Sequence, residues 1–393
     1  MANSQLNCAS VESPMKALAF SCMMVAGVVG CHMHSDQTAA PVASPTANAS
    51  SVVSGSFSPQ ELAAFAALEP IDTHAHVRRV DPQFNAMLDK LNIHLLDIIV
   101  VDDQSPEEND LQVERNGAMN FIGSSGGRAV LCTSIDPFRM RKSGFTASAI
   151  TGINRDFDQG AIAVKIWKNI GMEVKDAAGN YVLPDDPALM PIYKDIAAHN
   201  KTLVAHVADP NSSWAPPNPA SPDYSYYNEH PIWFMYNKPH PASKEQILRA
   251  RDHILERNPN LRVVGAHLGS MEADFNVLAQ HFDRYPNFAV DLAARMPYLA
   301  LQPRADAIAF ITKYQDRLIY GTDLEFHDTD KVEIRMEYWQ NSYARDWRFF
   351  ATNDTVDFGG IKGNGLALPD SVLRKIYHDN AVHWFPGIFP GSH

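Results

Sequence analysis

The stretch Ile71–Asp72–Thr73–His74–Ala75–His76–Val77 decides how the rest of the chain is read. It is short and apolar at both ends, so it reads as a strand. Successive side chains of a strand point to opposite faces. His74 and His76 therefore share one face, and Thr73, Ala75 and Val77 share the other. Two imidazoles side by side on one wall make half of a metal site. An isolated His-x-His is equally compatible with polar residues on an exposed strand, so the reading depends on what lies downstream.

Downstream, strand and helix patterns alternate. The nearly continuous apolar run at 93–101 reads as a strand buried on both faces. Further strands are expected at 128–135, 161–167, 202–207, 262–268, 288–292 and 318–323. Helices are expected between them, at 82–91, 107–121, 146–158, 187–200, 243–258, 272–285 and 304–314, with Ser243 as an N-cap. Eight such repeats fit one α/β domain, a (β/α)8 TIM barrel, better than a doubly wound open sheet. Two segments interrupt the rhythm. The first, 209–241, follows strand five and carries Trp214, Tyr224, Tyr226, Tyr227, Trp233, Phe234 and Tyr236. A loop that long is commonly functional, and its aromatics mark it as a substrate-covering insertion. The second insertion, 325–368, follows strand eight and precedes a closing helix at 370–384.

In a parallel barrel the catalytic groups sit at the carboxyl ends of the strands. His74, His76, His206, His267 and Asp323 all fall there. On strand four Ile162, Val164 and Ile166 form the face suited to the helix layer, which turns Lys165 inward. Any one of these residues alone reads as structural. Five at the same end read as a site for Zn²⁺ or a similar divalent ion. Arg295, after strand seven, is a candidate partner for a substrate carboxylate or one half of a surface salt bridge. Trp167 is a candidate substrate contact, joining the insertion in an aromatic lid. Asp291 and His94 read as structural, and His230, His240 and His327 as loop histidines.

Composition sets the outer bounds. The chain has 393 residues, 45% hydrophobic and 20% charged, an ordinary globular balance. Its 33 basic and 45 acidic residues give −12, which argues against nucleic acid as a partner. Met15-Lys16, the apolar run 17–30 and Val28-Val29-Gly30-Cys31 resemble the signal peptide and lipobox of bacterial lipoproteins. On that reading residues 1–30 are a signal peptide, with Met15 as the true start. Residues 31–56 are a lipidated Cys31 and a flexible tether, and 57–393 the barrel. The resemblance implies export and a lipid anchor to a bacterial membrane, on its periplasmic or cell-surface side. Only Cys132 would remain in the mature domain, so no internal disulfide is expected.

Four motifs carry a second resemblance. His74-x-His76, Val204-Ala205-His206, Val264-Gly265-Ala266-His267-Leu268-Gly269-Ser270 and Tyr320-Gly321-Thr322-Asp323 resemble those of the metal-dependent amidohydrolase superfamily. The nearest branch is the amidohydrolase-related one that includes aminocarboxymuconate-semialdehyde decarboxylase. Lys375-Ile376-Tyr377-His378-Asp379-Asn380-Ala381 is similar to that branch's terminal helix. The resemblance implies one divalent metal, usually Zn²⁺, held by His74, His76, His206 and Asp323 with a water. It places His267 beside that water as an acid/base or polarising group, and makes Asp323 the proton acceptor. The alternative is a pair of ions bridged by a carbamylated Lys165. The implied activity is hydrolysis of an amide, ester or lactone bond in a small-molecule substrate. Nonoxidative decarboxylation of an unsaturated or aromatic acid is the alternative, for which Arg295, Arg78 and Arg79 are the candidate carboxylate holders. An inactive lipoprotein binding module is a third reading. It would be expected to have lost a ligand, and none is missing.

Overall fold

The computed structural model describes residues 52–101 and 110–389. The expected signal segment and Cys31 lie outside the described residues. Strands β1 (Ile71–Val77), β2 (His94–Ile98), β3 (Ala129–Ser134), β4 (Ala163–Ile166), β5 (Thr202–Ala205), β6 (Arg262–Gly265), β7 (Phe288–Asp291), β8 (Leu318–Ile319) and β9 (Leu324–Phe326) form one sheet. Its order is β8-β7-β6-β5-β4-β3-β2-β1-β9, and every pairing is parallel. Helices fill the crossovers, among them Pro82–Leu91, Asp110–Ser124, Phe145–Asp158, Met190–Ala198, Lys244–Arg257, Phe275–Arg284 and Arg304–Lys313. Local chemistry sets their starts. The Asp81 carboxylate accepts from the amides of Gln83 and Phe84, and Ser243 closes a capping box with Gln246.

The expected closed barrel differs in one respect. Strand eight is broken between Ile319 and Leu324, so the curled sheet ends on β8 at one edge and β9 at the other. Among the described residues no ladder joins β8 to β1. Instead Thr73 N donates to Tyr320 O at 3.0 Å, and Asp323 N to His74 O at 2.7 Å. The physical cause is the left-handed backbone of Asp323, φ 67°, which turns the chain out of strand geometry.

The strands alternate as their sequences require. Leu96, Cys132, Ala163, Val204, Val264, Ala289 and Ile319 form an inner cluster, closed at one end by Trp384, which ends the helix Asn380–Trp384, and by Phe385 just after it. Leu95, Val164, Ile166, Leu203, Ala205, Val263, Val290 and Leu318 pack in the larger cluster with residues of the helices. Among the polar residues that stand two positions beyond an inner-cluster residue are Lys165 after Ala163, His206 after Val204 and Asp291 after Ala289. Period two thus brings them to one end of the sheet's concave side. In β1 the register shifts between Asp72 and Ala75. Ile71 packs in the inner cluster, yet Ala75 and Val77 pack in the outer one. A bulge of this kind re-aims side chains, and here it turns His74 and His76 inward.

The segment after β5 holds short helical turns at Asn211–Trp214, Pro231–Trp233 and Met235–Asn237 and a helix at Tyr224–Glu229. The segment after β9 holds a helix, Val332–Ala351, and the hairpin β10 (Thr355–Phe358) and β11 (Ile361–Asn364). Val52–Ser56, placed by sequence in the tether, are tied to this body. Val53 N donates to Thr355 O at 3.0 Å, and Arg348 donates to Gly55 O and Ser56 O at 2.8 and 2.7 Å. Among the described residues no helix is long and apolar enough to cross a membrane.

Candidate metal centre

The site is built on Asp323. Its Oδ1 lies 3.3 Å from both His74 Nε2 and His76 Nε2, and its Oδ2 lies 4.0 Å from His267 Nε2. The other ring nitrogen of each histidine is committed. His74 Nδ1 donates to Asp291 Oδ2 at 2.8 Å, His76 Nδ1 to Ile98 O at 2.7 Å, and His267 Nδ1 to Ala293 O at 2.9 Å. In those tautomers all three Nε2 atoms carry lone pairs and face a carboxylate. Lys165 Nζ meets the His74 lone pair at 2.9 Å, but the other acceptors still need a proton or a cation among them, and this nitrogen and oxygen set suits a divalent ion. His74, His76 and Asp323 each offer an atom within 4.8 Å of the others, as do His74, His267 and Asp291.

Electrostatics favour an anion among neutral rings. Burial pushes the His267 and His206 imidazoles well below the usual histidine range, and burial with the Lys165 charge lowers His74. Burial works against the Asp323 carboxylate, but the rings of His267, His74 and His76 outweigh it and hold its pKa well below the ordinary value. About a third of the Asp323 side chain remains exposed, so it can reach a ligand.

The backbone around the centre is strained. Ala208, His267, Leu268, Ser270, Ala294 and Asp323 all have positive φ, between 53° and 67°. They follow β5, β6, β7 and β8, and such residues cost of order 1–3 kcal/mol each. Gly321 is required for a different reason: a Cβ there would stand 3.0 Å from His74 Cβ. Asp72 braces the same corner. Its carboxylate accepts from His74 N, Thr322 N, Thr322 Oγ1 and Tyr343 OH at 3.0, 3.1, 2.6 and 2.9 Å. Burial nevertheless pushes it up to about 7.

The structure places the other expected residues as follows. Lys165 is fully buried, with Nζ 2.9 Å from His74 Nε2, and burial lowers its pKa. His206 does not join the His74–His76–Asp323 cluster. Its Nδ1 lies 3.2 Å from His267 Nε2. Trp167 lines the cavity above the centre, but Arg295 does not. Arg295 is buried near Glu272, Nε to Oε2 3.9 Å, so it is not a surface pair.

That cavity encloses about 370 Å³. His74, His76, Lys165, His206 and Asp323 line its floor, and Trp167, Tyr226 and Trp233 line it with Lys168. His230 and His327, read from sequence as loop histidines, also line it. Sequence reasoning missed Lys168 and Asp209 altogether. Their one signal was spacing, three residues beyond Lys165 and His206 respectively. It also read Asp291 as merely structural, where the fold makes it the partner of His74.

Among solved structures the chain is similar to an uncharacterised TIM-barrel protein from Bordetella bronchiseptica. The identity is 15%, with 81% of this chain and 99% of that one covered, at a TM-score of 0.50. A 2,6-dihydroxybenzoate decarboxylase from Rhizobium matches at 14% identity, covering 80% and 98%, with a TM-score of 0.47. A putative 2-pyrone-4,6-dicarboxylic acid hydrolase from Pseudomonas putida matches at 13%, covering 81% and 98%, with a TM-score of 0.43. No curated protein matches. The amidohydrolase family profile matches residues 29–387, nearly the whole chain, and the protein therefore belongs to the amidohydrolase family.

Proposed function

We propose that this amidohydrolase is a metal-dependent hydrolase acting on an amide, ester or lactone bond of a small molecule. The observation that carries the reading is the convergence of three imidazole lone pairs on the Asp323 carboxylate at the floor of a cavity. Amidohydrolase family members bind a divalent metal. Here His74, His76 and Asp323 would hold it, with His206 and His267 beside them. Such an ion supplies a Lewis acid and brings the pKa of water from near 16 to about 7. We read the curled sheet as a (β/α)8 barrel whose eighth strand breaks to aim Asp323 inward.

The chain's own groups divide the remaining work. Asp323, ionised and partly open to the cavity, takes a proton from the attacking water and returns it to the leaving group. With its Nδ1 proton given to Ala293 O, His267 offers a lone pair at Nε2, so it accepts a proton rather than stabilising an oxyanion. Lys165 Nζ is the donor best placed for that second task, and such a donor is typically worth about 3–4 kcal/mol. Trp167, Tyr226 and Trp233 line the cavity with ring surface that excludes water and can pack against an apolar part of the substrate. Decarboxylation would use the same floor, with Lys165 as the cation left to hold the carboxylate, since Arg78 is engaged by Asp97 and Glu114 and Lys168 by Asp209.

Elemental analysis of the purified protein tests the metal centre. About one ion per chain is expected, and His76→Ala should lose it together with activity. Wild-type metal content in that variant would remove the ligand set. A panel of lactones, esters, amides and aromatic acids, scored for ¹⁸O uptake from water against CO₂ release, separates the two chemistries.

A further inference from the structure

His206 presents an unresolved contact. Its Nε2 is buried and has no hydrogen-bond partner among the described residues. The charged atom facing it is Asp209 Oδ1, at 3.5 Å. Its other nitrogen, Nδ1, faces His267 Nε2 at 3.2 Å, and that atom is an acceptor. Neutral His206 can be written in two ways. A proton on Nδ1 satisfies His267 but sets a bare Nε2 against a carboxylate. A proton on Nε2 turns toward Asp209 and leaves the Nδ1 and His267 Nε2 lone pairs together. That pairing is favourable when a cation lies on the same side as those lone pairs.

Asp209 is fixed from behind. Lys168 Nζ donates to its two oxygens at 3.1 and 2.9 Å, and both side chains are 3% exposed. The third Lys168 proton goes to Tyr226 OH at 2.6 Å. The ammonium also lies 4.7 Å from the Tyr226 ring centre and 4.6 Å from that of Trp233. Tyr226 and Trp233 belong to the 209–241 segment that roofs the cavity, whereas Lys168 follows β4 in the body of the fold. A single line of contacts therefore runs Trp233/Tyr226–Lys168–Asp209–His206.

We propose that Lys168 and Asp209 are positioning residues that couple docking of the part of the segment beyond Asp209, residues 210–241, to occupancy of the metal centre. This rests on the metal-site reading above. With the segment docked, Tyr226 and Trp233 hold the Lys168 ammonium, which holds the Asp209 carboxylate against His206 Nε2. His206 is then kept in the tautomer that bares Nδ1 toward the centre. With Nδ1 bared beside His267 Nε2, His206 would be drawn onto the ion as a further ligand, and partners that orient such a histidine from behind are typically worth about 10–100-fold in metal affinity. Linkage makes the effect reciprocal: an ion favoured by the docked segment favours docking by the same factor.

The test uses the whole protein and Zn²⁺ alone. Zn²⁺ affinity is measured by competition with a chromophoric chelator for wild type, Lys168→Met, Lys168→Arg and Tyr226→Phe. Protease cleavage within 209–241 is followed with and without Zn²⁺. Lys168→Met is expected to weaken Zn²⁺ by about 10–100-fold, Tyr226→Phe to weaken it less, and Lys168→Arg to retain most of the affinity. Zn²⁺ is expected to slow cleavage in wild type and to lose that effect in Lys168→Met. If Lys168→Met does not fold, Tyr226→Phe, which removes one hydroxyl, carries the comparison. Wild type that binds Zn²⁺ with unchanged cleavage, or wild-type affinity in the folded variants, overturns the coupling and leaves the metal centre standing. Wild type that takes up no Zn²⁺ overturns the metal centre and the coupling with it.

Discussion

Asp291 shows how a single buried side chain fixes the chemistry of its neighbours. Its Oδ2 accepts from His74 Nδ1 at 2.8 Å, while Oδ1 accepts from His267 N and Ala293 N at 2.7 and 3.1 Å. One carboxylate thus sets the tautomer of His74 and pins the left-handed turn that carries His267. Burial opposes its charge, but its interaction and hydrogen bond with His74 win and lower its pKa. Asp291→Asn is nearly isosteric, yet it puts an NH₂ where an acceptor stood. If the amide oxygen keeps the two backbone bonds, His74 must accept at Nδ1 and carry its proton on Nε2, facing Asp323. Metal affinity should then fall about 10–100-fold, read by chelator competition, while the melting curve moves little. Wild-type affinity in this variant would mean that His74 does not bind through Nε2.

The elements were legible where a local rule governs them and illegible where a distant partner does. His94 opens β2, and the rule it obeys is solvation. Burial first, then the charge of Arg128, lowers its pKa to about 4, and its Nδ1 has no partner. An unfolded chain takes up that proton below about 6.5, but the folded one does so only near 4. Folded stability should therefore be complete above about 6.5 and fall as the pH drops toward 4. The ring is partly solvated, so its share is on the order of 1 kcal/mol between pH 7 and 5. His94→Gln should flatten that slope in urea unfolding at the two pH values, and an unchanged slope would assign it to other groups. Reading His94 as structural from sequence agrees with this place at the start of β2, away from the metal centre. Alternation also brought Lys165, His206 and Asp291 to the concave face, because period two needs nothing beyond the strand itself. The bulge in β1 and the break after Ile319 had no such signature. Both depend on Asp72, whose bonds to Thr322 and Tyr343 span 250 and 271 positions. The Lys168–Asp209 pair was hidden for the same reason, since it forms only once β4 and β5 lie side by side.

At the scale of the whole molecule, stability and chemistry occupy opposite ends of the sheet. The strand ends that carry His76, His206 and Asp323 are polar, strained and opened by a cavity. The other end is filled by Ile71, Ile162, Ile319, Trp384 and Phe385. Trp384 is 3% exposed, its indole N–H donates to Asp316 O at 3.2 Å, and its carbonyl accepts from Thr202 Oγ1 at 2.5 Å. It joins the last helix to the starts of β5 and β8. Removing so large a buried ring typically costs about 3–5 kcal/mol, because the pocket collapses only in part. On the barrel reading proposed above, the amino-terminal end serves stability and the carboxyl-terminal end serves function. Trp384→Ala should therefore lower the urea midpoint strongly while Zn²⁺ affinity, measured well below that midpoint, changes less than about twofold. A large loss of affinity in the folded variant would show that the two ends are coupled through the strands. The strain at His267 and Asp323 would then be held in place by the packing around Trp384, rather than by Asp72 and Asp291 close at hand.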